Sequence, residues 1–295
     1  MRAWTKFALL ATTGCAMDYG LTSGTKDPTG GDDTDLAYAI DTDGSPAADT
    51  DDSDPPSPDT LPDDTDVVPA ASAPIYAQTR DTLFTVDPAS GAVTEVAKFS
   101  SGGKAIDGMV DIAIDAQGRL FGGDRGAKSG GPYTLYRIDP TTAESSPVCT
   151  VTVEPTALTF TSSGLLVAAG AGTLTTIDVD GGCDMEVLFE KTGWDTSGDV
   201  VGLPDGLLYW TIRGTTSDVL VTVDPVTKAE SVKGDVGFER LFGVGYDQGQ
   251  GRLYGFSATG DVIEINASTG AGSLLTQDAT RAWWGATTNP VVWTP

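Results

Sequence analysis

The sequence predicts an all-β protein, a single five-bladed β-propeller with circular strand closure, preceded by a signal peptide and a disordered linker. Three observations carry this. A short apolar run ending in Ile or Val, followed by an acid or its amide and then a turn, occurs five times: Leu83–Asp87, Leu135–Asp139, Leu174–Asp178, Leu220–Asp224 and Val262–Asn266. The acid positions are 52, 39, 46 and 42 residues apart, and a period of about 40–50 with several strands per unit is the mark of propeller blades. Upstream of the acid, each of the later units carries Gly, then Leu with an aromatic or Val: Gly118–Phe121, Gly164–Val167, Gly206–Tyr209 and Gly251–Tyr254. Finally, the first unit lacks an inner strand, since Ile75-Tyr76 already corresponds to a second strand. A surplus strand follows the last unit at Trp283–Thr288. A C-terminal strand that completes the first blade explains both ends and removes open sheet edges.

The elements follow in chain order. Met1–Lys6 is a basic start, Phe7–Ala11 a short apolar stretch, and Thr12-Thr13-Gly14-Cys15 ends in a small residue before cysteine. The stretch is too short to cross about 30 Å of hydrocarbon, so it reads as a removable signal. It resembles the bacterial lipoprotein signal, in which a lipid-modified cysteine becomes the new N-terminus. That resemblance implies residues 1–15 as signal and Cys15 as the lipidation site. Residues 16–72 form an Asp/Thr/Pro-rich linker. Between Asp18 and Asp66 lie fifteen Asp, no Glu and one Lys, a composition that cannot offset its ordering entropy and extends by self-repulsion. Alternating Asp around Gly44 has the oxygen-rich look of a calcium loop, but the bidentate Glu and flanking helices of such a loop are missing. Residues 73–295 are the propeller domain. Its inner strands are expected at 110–114, 157–160, 200–203 and 242–246, with Gly-, Asp- and Pro-bearing turns between strands. The repeated acids are expected to accept turn amide hydrogens.

The repeats resemble those of bacterial cell-surface propellers built on Gly-x-Leu-Tyr and Leu-Tyr-x-Ile-Asp-Pro motifs, often carried on lipoproteins behind Asp/Thr linkers. That resemblance covers the domain and the front end. It implies a place in the bacterial cell envelope, lipid-anchored at the outer membrane or secreted, and no particular activity.

Composition excludes more than it assigns. The chain of 295 residues has 42 acids, 17 bases, a net charge of −25 and no histidine. Nucleic-acid binding is disfavoured, because phosphate contacts need clustered Lys and Arg. Without histidine, a Ser-His-Asp triad and a His-ligated zinc site are both ruled out. The Gly-rich stretch 122–131 lacks the spacing and strand-to-helix context of a phosphate loop. Sugar-lactonase propellers use a metal cage of Glu, Asn and Asp, and neither Asn266 nor Asn289 can be placed in one. Cys149 and Cys183 lie in neighbouring repeats and can pair only if their Cα atoms come within about 7 Å. A disulfide and two half-buried thiols both remain open.

Aligning the blades on their Gly puts Asp111, Ala157, Asp199, Gly243 and Gly285 at equivalent inner-strand positions. Two acids opposite three tiny residues are expected to leave an axial cavity, where Asp111 and Asp199 either hold Ca²⁺ or cap local backbone groups. Asp107, Glu154, Trp194, Asp195, Glu239, Arg240, Arg281, Trp283 and Trp284 are expected on loops of one face. Trp283 and Trp284 either stack a ligand there or pack at the closure seam. The leading expectation is a non-catalytic, envelope-anchored monomer whose face binds a glycan, peptide or protein, with the membrane touched only through the lipid anchor. The alternative is a divalent-metal-dependent hydrolase or lyase at the channel mouth, using Asp111, Asp199 and Glu239.

Overall fold

The computed structural model describes residues 73–288, apart from 107, 127–130, 162, 171 and 191–193. The signal at 1–15 with Cys15, the linker 16–72 and Asp107 therefore lie outside the described residues. What is described is five four-stranded antiparallel sheets around an axis, with one added two-stranded hairpin at Ser100–Ser101 and Lys104–Ala105. The inner strands are Met109–Ile114, Ala157–Phe160, Thr196–Gly202, Leu241–Asp247 and Gly285–Thr287. The last of these joins blade 1, pairing Tyr76 with Thr287, Ala77 with Ala286 and Gln78 with Gly285. Circular closure is thus a property of the fold.

Each repeat motif has a mechanical job. The Leu and Ile of the apolar run point between blades, and the core is five apolar clusters, one in each gap between neighbouring sheets. All five blades carry a register shift at the same place, after Leu83, Leu135, Leu174, Leu220 and Val262. A bulge there adds the local twist that a blade needs between its third and fourth strands. The acid that follows ties the next turn. Asp87 accepts from the Ala89 amide at 2.9 Å, Asp139 from Thr141 at 2.8 Å, Asp224 from Val226 at 2.8 Å and Asn266 from Ser268 at 2.9 Å. These contacts and neighbouring hydroxyls hold Asp87, Asp139 and Asp224 below the usual carboxylate range. The turns close in the left-handed region, on Gly91 (φ 68°) and Gly270 (φ 79°), where glycine is unstrained. Blades 2 and 4 place Ala143 and Lys228 there, at φ 56° and 63°. In blade 3 the longer turn puts Cys183 there (φ 67°), bonded to Cys149 on the outer strand of blade 2 with Cα atoms 6.4 Å apart.

Inner strands present an unpaired edge to the axis. Side chains of other blades cover it: the Ile114 amide donates to Thr287 Oγ1 at 3.0 Å, and the Gly202 amide to Thr159 Oγ1 at 2.9 Å. The inner strand of blade 4 starts at Thr196, four residues before the expected Val200, because a register shift between Thr196 and Val200 extends its pairing.

Candidate functional site

The five aligned positions organise three rings along the axis. The residues at those positions, Asp111, Ala157, Asp199, Gly243 and Gly285, form the middle ring. Among the described residues, the two carboxyls fill the axial space that the small residues open. A Cβ built on Gly285 would lie 2.0 Å from Asp111 Oδ1. Asp111 and Asp199 are both fully buried, with their carboxyl groups facing each other.

The residues one step further along form a ring of amide donors. Asp111 accepts from Ile112 and from Leu158 (2.5 Å); Asp199 accepts from Val200 (2.6 Å), Val244 (2.6 Å) and Ala286. Each blade thus donates one backbone N–H to the pair. Burial, followed by the facing Asp199 charge, pushes Asp111 far above the usual range, and burial pushes Asp199 up to about 8. Asp111 Oδ1 is buried with no hydrogen-bond partner, so it is the carboxyl oxygen of the pair best placed to carry a retained proton. This arrangement does not fit Ca²⁺. A cation there would meet converging N–H groups, whose polarity is wrong for it, and among the described residues no three acids cluster as ligands. The pair instead caps backbone amides.

The residues one step earlier form the mouth. Val110, Thr156, Gly198, Phe242 and Trp284 come one from each blade and, with Thr196, Ser197 and Arg213, line a depression of about 280 Å³ over the axis. An adjoining depression of about 350 Å³ holds Glu239, Arg240 and Asp218, the last accepting from Ser197 Oγ at 2.5 Å and the Leu241 amide at 2.7 Å. Burial raises Asp218.

The expected face residues divide. Trp284 is half-buried and lines the mouth. Trp283 is fully buried: it packs edge-on against Phe84 and Phe256, each at 5.5 Å, across the seam between blades 5 and 1. It therefore has no face to offer a ligand, which settles the open choice for this residue as seam packing. Arg281 covers the same seam, 4.8 Å from the Phe84 ring and 5.1 Å from Trp283, and pairs with Asp278 at 3.4 Å. Trp194 packs edge-on against buried Trp210 at 6.0 Å. Asp195 is exposed and pairs with Arg213 at 3.3 Å, while Glu154 is exposed on the loop before Ala157. The sequence reading missed Phe242, Arg213 and Arg125. The alignment that found the middle ring carried the signal for Phe242, because each mouth residue immediately precedes a middle-ring residue.

No family model matches the chain, and no curated protein matches it. Several solved structures are similar. A nidogen/laminin complex is 13% identical, covering 72% of this chain and 97% of that chain at a TM-score of 0.47. A structural genomics protein of unknown function from Bacteroides thetaiotaomicron is 13% identical, covering 76% and 63% at 0.46. A putative gluconolactonase is 15% identical, covering 61% and 66% at 0.43. These are likenesses to β-propellers, and they carry no argument about ligand or activity.

Proposed function

We propose that this chain is a non-catalytic binding propeller of the cell envelope, displaying the axial mouth to a glycan, peptide or protein partner. The observation that carries this is the mouth itself: five blades each place one residue around a single depression, and two of the five are aromatic, Phe242 and Trp284. A concave site with aromatic walls and a few polar groups is the general form of a ligand pocket. A hydrolase or lyase reading gains nothing from the axis, since Asp111 and Asp199 are sealed below the mouth while Glu239 sits on an exposed loop.

The test is binding of the full chain to glycan and peptide arrays, repeated with Trp284→Ala. A ligand of one class should bind, and the variant should lose it while melting within a few degrees of the parent. No ligand on either array, or binding unaltered by Trp284→Ala, would overturn the proposal.

A further inference from the structure

Arginine is concentrated around the mouth. Arg80, Arg125, Arg213, Arg240 and Arg281 all lie on loops at the end where inner strands begin. Arg281 is occupied at the seam. The others surround the two aromatic walls: the Arg80 and Arg125 guanidinium carbons stand 5.9 and 6.0 Å from the Trp284 ring centre, Arg240 stands 5.5 Å from that of Phe242, and Arg213 lines the depression. A guanidinium laid on a ring keeps its planar N–H fork turned outward and pre-ordered for an oxyanion.

Two backbone features serve this placement. Arg125 crosses Gly108 so closely that a Cβ there would stand 2.4 Å from Arg125 Cδ. Arg240 is held at φ 58°, a left-handed conformation that a glycine would adopt without strain. Most carboxylates of this face are already engaged. Asp195 pairs with Arg213, Asp278 with Arg281 and Asp81 with Lys98; Asp124 accepts the Gly126 and Thr134 amides, and Asp218 accepts Ser197 and Leu241. Glu154 and Glu239 remain exposed. Among the described residues, no carboxylate lies in ion-pair range of Arg125 or Arg240.

We propose, resting on the binding reading above, that the mouth takes an anionic saccharide: a sugar ring carrying a carboxylate or sulfate. The ring would sit against Phe242 and Trp284, and its anion would meet the Arg125 and Arg240 forks. A depression closed on every side by five blades suits a compact ring better than an extended peptide strand. The chain's large negative charge does not forbid this. The turn acids Asp87, Asp139, Asp178 and Asp224 lie at the far end of the blades, well beyond a Debye length of about 8 Å at physiological salt.

Calorimetric titration of the full chain tests it, using oligogalacturonate, its methyl ester, a chondroitin sulfate oligosaccharide, its desulfated and carboxyl-reduced form, and oligoglutamate. At least one anionic saccharide should bind, with its neutralised partner at least about tenfold weaker. Arg125→Gln and Arg240→Gln should each weaken it by about five- to tenfold at unchanged melting temperature. The uronate and sulfate arms identify which anion is read. Equal binding of the neutralised sugars, or no effect of either arginine variant, overturns the anionic preference and leaves the binding reading standing. Oligoglutamate binding more tightly than any saccharide overturns the saccharide. Silence from all five probes, when the arrays show a Trp284-dependent ligand, overturns this inference alone; silence in both overturns the two together.

Discussion

Asp111 and Asp199 meet carboxyl to carboxyl on the propeller axis, 88 positions apart in the chain (199 − 111), and between them accept one backbone amide from each of five blades. Two buried carboxylates side by side cannot both ionise at neutral pH, so the native pair retains a proton that the unfolded chain has lost.

Stability should therefore fall as pH rises through the interval from about 4 toward about 8. Both folded-state values lie above the unfolded 3.8, so within that window the native state binds more protons than the unfolded chain. The slope should approach about 1.4 kcal/mol per pH unit for each proton retained, and not exceed about 2.8 for the pair. Surface acids held low, such as Asp81, Asp87 and Asp278, act in the opposite sense and only at lower pH. Asp111→Asn places an amide N–H where the acid proton sits, so it should fold and flatten the slope. Urea melts at pH 5, 6.5 and 8 decide it: an unchanged slope in Asp111→Asn removes the shared proton from the account.

Gly285→Ala should destabilise the domain by about 3 kcal/mol, because the new methyl would occupy the place of Asp111 Oδ1 between paired strands that cannot move apart. Gly118→Ala supplies a contrast. Nothing lies within 4 Å of its Cβ position, so its cost is only that of its φ of 75°. Equal melting temperatures for Gly285→Ala and the parent would show that the carboxyl can swing aside.

The Cys149–Cys183 bond closes a loop of sequence separation 34 and staples blade 2 to blade 3. Chain-entropy arguments put such a loop at about 3–4 kcal/mol. Replacing both cysteines with serine, or melting in dithiothreitol, should lower stability by that order while leaving the far-ultraviolet spectrum intact. No difference between oxidised and reduced protein would mean that the apolar cluster around Cys183 holds the gap unaided.

The fold was legible because its signals are repeated and local. An apolar run of Leu or Val, two residues, Ile or Val, then Asp or Asn recurs five times, and the same five leucine or valine positions bulge, the same terminal Asp or Asn residues cap, and the same gaps fill. Closure was legible from Ile75 and the surplus strand near Trp283. The site was less so, because it is made of residues that do not repeat. The Asp111–Asp199 contact depends on which blades face each other across the axis, which spacing along the chain does not encode. Trp283 and Trp284 are chemically identical neighbours, and only the direction of the strand into Gly285 decides that one seals the seam while the other faces the mouth. Arg125 was hidden in a Gly-rich loop that gives no periodic signal.

The pairing of Ala77 with Ala286 has a consequence for how the molecule comes into being. These partners are 209 positions apart (286 − 77), so blade 1 stays one strand short until the chain has been made through Thr287. Blades 2 to 5 can assemble as they emerge, each against its predecessor. The ring can lock, and the axial proton be trapped, only as a final event after synthesis of the C-terminal strand. Folding of this protein should accordingly be governed by its slowest and longest-range contact, and a chain halted before Gly285 would be left as an open arc with two raw edges.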